Sequence, residues 1–179
     1  KLMEQDLDCC RKLKIQIVGG HTEVSRSVRQ PVVTATVMGQ YQKNAVLTDA
    51  KKEKQAAGKT NVYSPAGLDI VVSKWIGMEG TSIIAKEKER ELLKRFPPAL
   101  VKMAGEQRDY LSVASEAATA LKSGVYAMHD VRNGGIFGAL WELSRKLGVG
   151  LSIDLKEITV KQETIEICEF YRLNPYELL

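Results

Sequence analysis

The sequence predicts an α+β fold, and three observations carry that prediction. Runs rich in β-branched residues, Ile15–Val18, Pro31–Met38, Asp69–Trp75 and Val149–Leu155, read as strands. Between them lie segments whose apolar residues recur at three- and four-residue spacing, as an amphipathic helix requires. Gly19-Gly20, Pro97-Pro98 and Gly134-Gly135 punctuate the two patterns.

Taken in order, Leu2, Met3, Leu7, Cys10 and Leu13 mark a helix over residues 2–13, followed by the strand Ile15–Val18 and the Gly19-Gly20 turn. Pro31 opens the next strand, a position where its missing N–H costs nothing. From Gly39 to Gly67 apolar periodicity dissolves, which predicts a connector with a short helix near Asp49–Ala57. The strand Asp69–Trp75 leads through Gly77-Met-Glu-Gly80 into a helix from about Thr81 to Arg95, capped by Thr81 or Ser82 and stopped by Pro97-Pro98. A second helix is expected over Pro98–Gly105. A third spans Ser112–Lys122 with Val113, Ala117, Ala120 and Leu121 inward, and Gly124 ends it. A strand from Tyr126 then enters a polar turn and the helix Ile136–Leu147, closed by Gly148. After the strand Val149–Leu155, a last helix covers Gln162–Tyr171 with Ile165, Cys168 and either Ile167 or Tyr171 buried.

Composition narrows the function classes. A chain of 179 residues with 44% hydrophobic content suits a globular protein of one large or two small domains. The net charge of +4 gives little support to nucleic-acid binding, because lysines alternate with glutamates, as in Lys86–Glu91, instead of clustering with aromatics. No apolar run approaches the ~20 residues that cross a bilayer. Cys9, Cys10 and Cys168 show no metal-ligand spacing, and the adjacent pair is ill suited to bridging, which points to a reducing compartment and a cytoplasmic protein.

The stretch Tyr126-Ala-Met-His-Asp-Val-Arg-Asn-Gly-Gly135 carries the chemistry. A helix beginning after paired glycines presents N–H groups with no intrahelical partner, backed by the positive end of the macrodipole, and such a turn can hold a phosphate. Asp130 is placed to take a metal ion or a hydroxyl. The same residues also suit a plain helix cap with glycines that only turn the chain, and the turn alone does not choose between these readings.

Together, Gly19-Gly20-His21-Thr22-Glu23 and His129-Asp130-Val131-Arg132-Asn133-Gly134-Gly135 resemble the glycine turns of the aminoimidazole ribonucleotide (AIR) synthetase superfamily. Residues Asp69–Thr81 look like the start of that family's C-terminal domain. Val125–Leu155 followed by Pro175–Leu179 looks most like its hydrogenase-maturation and synthetase-related branches. The resemblance implies the end of an ATP-binding N-terminal domain over residues 1–40, a linker or mobile loop over 41–67, and most of an α/β C-terminal domain over 68–179. The chain is therefore expected to be an internal portion, inactive by itself, of a homodimeric protein.

By the same resemblance, ATP with Mg²⁺ activates an oxygen of a small amide, carboxylate or phosphate acceptor through phosphoryl transfer, the protein supplying position and electrostatics. Gly19, Gly20 and Thr22 would approach the nucleotide phosphates. His21 stands where several branches carry an acid, and the selenophosphate branch is similar in having His. Neutral imidazole suits a hard cation poorly, which leaves the metal ligands unassigned and gives His21 an equal reading as a turn residue; Glu23 is near enough to substitute as an acid. Asp130 would be the catalytic residue touching the acceptor or its metal, with Asn133, Gly134 and Gly135 framing the pocket. Arg132 could pair with an anion or simply lie exposed. Trp75, Phe137 and Trp141 read as core or interface residues. The alternatives are a non-catalytic binding or assembly protein, and a hydrogenase-maturation carbamoyl dehydratase whose C-terminal tail would end in an accepting cysteine.

Overall fold

The computed structural model describes residues 2–40 and 64–179. The connector expected at 41–67 lies outside the described residues apart from Ser64–Gly67, where the Leu68 N–H donates to the Pro65 carbonyl at 3.2 Å. The helix expected near Asp49–Ala57 lies outside them altogether.

The described residues are helical, with no strand and no sheet among them, which overturns the α+β expectation. Segments 15–18, 31–38, 69–73, 126–130 and 149–154 are irregular instead. Many of their apolar residues face solvent: Val71 is 89% exposed, Val32 80% and Met38 81%. The physical reason is that a β-branched run states only a local preference, spanning about 1 kcal/mol between residue types. A strand also needs a neighbour to complete its hydrogen bonds, and here these segments form no ladder with one another.

The chain divides into two compact units, Lys1–Gln40 and Tyr41–Leu179. In the first, α1 (Leu2–Lys12) carries Glu4 in its first turn and Arg11 and Lys12 in its last, matching the macrodipole. Lys14, at φ +56°, turns the chain out of the helix. The remainder of this unit is irregular and exposed.

The second unit contains α2 (Met78–Glu87), α3 (Glu89–Leu92), α4 (Pro98–Glu106), a 3₁₀ turn (Gln107–Tyr110), α5 (Ala114–Ser123), α6 (Gly135–Leu147), a second 3₁₀ turn (Leu155–Glu157) and α7 (Gln162–Tyr171). The long helix expected from Thr81 starts at Met78 and breaks at Lys88. Thr81 and Ser82 do not cap it. They are buried one turn in, their hydroxyls donating back to the carbonyls of Gly77 (2.6 Å) and Glu79 (2.9 Å). Pro98 opens α4 at a position where its absent N–H has no partner to lose.

The core lies where α2, α3, α4 and α7 meet, with Ala85, Leu92, Val101, Ala104 and Ile167 inside and Ile84, Phe96 and Tyr171 packed against them. Full burial of Leu92 or Ile167 stabilises by roughly 1.5–3 kcal/mol each. A polar thread crosses the same interior: Thr81 Oγ1 lies 3.0 Å from Thr164 Oγ1, which lies 3.3 Å from Gln107 Oε1. By contrast, α5 buries no residue, and Val113, expected inward, is exposed.

Cys168, on α7, is 1% exposed, and burial pushes its thiol up to about 11 from an ordinary 9.0. The unfolded chain loses this proton at lower pH than the native one. The stability it contributes is therefore complete below about pH 9 and is lost as pH rises toward 11. Alkylation at pH 8 should label exposed Cys9 rapidly and Cys168 only on unfolding, as mass spectrometry of native and denatured samples would read.

Candidate functional site

The glycine turn before α6 is the most chemically furnished place in the second unit. Gly134, at φ +91°, and Gly135, at φ +60°, swing the chain from the His129–Asn133 segment into the helix, a route that side chains with a Cβ resist. The Gly135 N–H closes the turn on the Arg132 carbonyl at 2.9 Å. The backbone packs closely enough that a Cβ on Gly138 would lie 3.0 Å from the Asn133 carbonyl oxygen.

On this turn the Arg132 Nε donates to the Asp130 carboxylate in a short ion pair. The guanidinium holds the Asp130 carboxyl below its usual range, against an opposing push from partial burial, and the arginine is raised in turn. Both side chains remain reachable, 46% exposed for Asp130 and 75% for Arg132. His129 is more enclosed and ties the turn to the helix. Its Nε2 lies 2.9 Å from Glu142 Oε2 on α6, and its Nδ1 lies 2.6 Å from the Asp130 main-chain oxygen. An acid, an arginine and a histidine–glutamate pair thus gather at this turn, and of these the guanidinium is the group that can donate to an anion.

The structure brings Asp130, Asn133, Gly134 and Gly135 together, with Asn133 exposed. Gly135, however, is buried beneath the chain's own backbone: a Cβ there would collide with the Tyr176 carbonyl oxygen and lie 2.7 Å from the Glu177 carbonyl carbon. Tyr176 O accepts the Phe137 N–H at 3.2 Å, and the two rings stack 5.2 Å apart at 9°. Part of the α6 amino end is therefore satisfied by a carbonyl from Asn174–Leu179. Gly19, Gly20, His21 and Thr22 belong to the first unit, where all four are exposed, and a Cβ at Gly19 or Gly20 would meet nothing within 4 Å. Trp141 is 65% exposed, with Arg145 5.9 Å from its ring, whereas Phe137 is half-buried.

Sequence reasoning missed Glu142 and the 174–179 strap. Glu142 shows in the sequence only as one more charge on a helix face. Asn174-Pro175 is a turn signal that could have been read: the Asn174 side chain accepts the Tyr176 N–H at 3.1 Å, and its carbonyl takes Glu177 and Leu178. The same strap reaches α2. There Leu179 O accepts the Gly80 N–H at 2.7 Å, and a Cβ on Gly80 would lie 2.5 Å from Leu178 Cδ1.

At this site a glycine-opened helix presents charged turn residues and is locked by a following strap. The chain belongs to the AIR synthase related protein family through its C-terminal domain, whose family model matches residues 65–179. It is similar to a putative hydrogenase expression/formation protein of Methanocaldococcus jannaschii, 21% identical over 177 residues that cover 98% of this chain and 46% of the relative. The chain thus spans about half the length of that relative. No solved structure matches it. No helix of the described residues is long and apolar enough to cross a membrane.

Replacing Gly135 with Ala combines a left-handed backbone with a collision against main-chain atoms that cannot swing aside. The expected loss is at least about 2 kcal/mol in urea unfolding. Gly150→Ala, where a Cβ meets nothing within 4 Å, should change stability by less than about 0.5 kcal/mol. Equal effects from the two would contradict the packing described.

Proposed function

We propose that the protein carrying this chain is an ATP- and Mg²⁺-dependent enzyme of the AIR synthase-related group. In this reading it activates an oxygen of a small amide, carboxylate or phosphate acceptor by phosphoryl transfer. The observation that carries the reading is the reachable Asp130–Arg132 pair at the entrance to α6, on a chain that belongs to this family. Arg132 exchanges part of its contact with Asp130 for the acceptor's anionic group, and Asp130 keeps the guanidinium aimed. His129 and Glu142 hold the turn against the helix. Gly19, Gly20, His21 and Thr22 enter the proposal as contacts on the nucleotide side. A homodimer and a cytoplasmic location complete it.

The described residues do not by themselves supply a three-ligand Mg²⁺ site. Among the described residues no group of three His, Cys, Asp or Glu could hold a metal ion, and Asp130 commits its carboxylate to Arg132. A second reading, a hydrogenase-maturation protein acting as carbamoyl dehydratase, is in keeping with the hydrogenase expression/formation named for the Methanocaldococcus jannaschii relative, and a non-catalytic binding or assembly protein is the remaining alternative.

Calorimetry with a nonhydrolysable ATP analogue, on the longest protein that contains this chain, should show saturable binding that needs Mg²⁺; no binding in either condition would sink the enzymatic reading. Asp130→Ala should lower acceptor-dependent ADP release by about 10²-fold or more while leaving analogue binding within about twofold. Intact turnover together with loss of a partner complex would favour assembly instead.

A further inference from the structure

Lys74 is one of three non-glycine residues with positive φ among the described residues, at +63°. For a residue with a Cβ this backbone is costly, by roughly 1–2 kcal/mol, and something nearby must hold it in place. The Lys74 main-chain carbonyl accepts from Thr159 Oγ1, and its side-chain nitrogen sits in an oxygen cradle. Nζ donates to the Tyr110 carbonyl at 2.8 Å and the Ser112 carbonyl at 2.5 Å, and it lies 2.7 Å from Glu116 Oε1. The lysine and glutamate side chains are only 19% and 29% exposed.

The cradle is built independently of the lysine's own segment. Tyr110 ends the first 3₁₀ turn, Ser112 follows it, and Glu116 lies in the first turn of α5, where Ser115 Oγ donates to its second carboxylate oxygen at 2.7 Å. Hydrogen bonding from Lys74, then from Ser115, lowers the Glu116 carboxyl to about 2. Through this contact Lys74 ties α5, which buries no residue, to the segment leading to Gly77. The Lys74 carbonyl completes the junction by accepting from Thr159 Oγ1 at 3.1 Å.

Two main-chain carbonyls and a carboxylate converging on one charge are oxygen donors of the kind that stand in for water around a monovalent cation. We propose that the Tyr110–Ser112–Glu116 cradle is a monovalent-cation site whose resident cation is the Lys74 ammonium, and that it accepts K⁺ or NH₄⁺ when the lysine is removed. This inference is independent of the enzymatic reading above, since none of its residues belongs to the Asp130 turn.

The test is the Lys74→Met variant, melted in KCl, NH₄Cl or tetramethylammonium chloride at matched ionic strength. In tetramethylammonium the variant should melt at least about 4 °C below the parent. It should recover half or more of that loss, saturably, in K⁺ or NH₄⁺, while the parent responds alike to all three salts. Adding Glu116→Gln to the variant should abolish the recovery. If Lys74→Met is unfolded without added cation, refolding in NH₄⁺ but not in tetramethylammonium is the same positive result. Equal response to all salts, no response, or recovery that survives Glu116→Gln overturns the proposal. A readout on an otherwise unaltered chain is Glu116→Gln alone. The lowered carboxyl contributes stability that is present above about pH 4.5 and lost as pH falls toward 2, so this variant should lose that acid-dependent limb; an unchanged pH profile also counts against the cradle.

Discussion

The second unit depends on a six-residue strap, Asn174–Leu179, laid across two helix entrances. One entrance is Gly77–Gly80 before and within α2, and the other is Gly134-Gly135 before α6. At each the strap delivers a main-chain carbonyl to a helix donor that has no intrahelical partner, Leu179 O to Gly80 N–H and Tyr176 O to Phe137 N–H. Unsatisfied donors at a helix start are costly when buried, and glycine is the residue that lets another backbone come close enough to meet them. Aromatic stacking of Tyr176 on Phe137 and the wedge of Leu178 against Gly80 add apolar contact at the same points. The charged turn at Asp130 is therefore held from beneath by packed backbone, and it is the side chains above it that face solvent.

Much of the helical part of this fold was legible in the sequence. Gln162–Tyr171 and Leu2–Lys12 follow from spacing alone, Pro98 marks the start of α4, and Gly148 closes α6 in the left-handed conformation that its type predicts. The α2 start was misjudged because Thr81 and Ser82 look like caps. Their hydroxyls instead bond back to carbonyls within the helix, and Gly77, in a left-handed conformation, precedes it. The strands were misjudged for a different reason: Val71 and Val32 state a preference that only a pairing neighbour can realise, and pairing is not a local property of a sequence.

Legibility of the site divides along the same line. Asp130, Arg132 and the two glycines sit in one short run and could be seen together. The partner that fixes the glycines lies far along the chain, the Tyr176–Glu177 backbone packed against Gly135. Glu142 is only a few residues away, yet its role depends on the helix turning it toward His129. Family membership through residues 65–179 agrees with the resemblance carried by the His129–Gly135 turn, and the matched region includes the packed core.

The claim that one strap secures both helix entrances is tested most directly by native-state hydrogen exchange of the Gly80 and Phe137 amides across a series of low denaturant concentrations. If the strap opens as a unit, the two amides exchange with the same opening free energy and the same denaturant slope. Exchange of one at a rate set by local fraying, while the other remains protected up to global unfolding, would contradict the account.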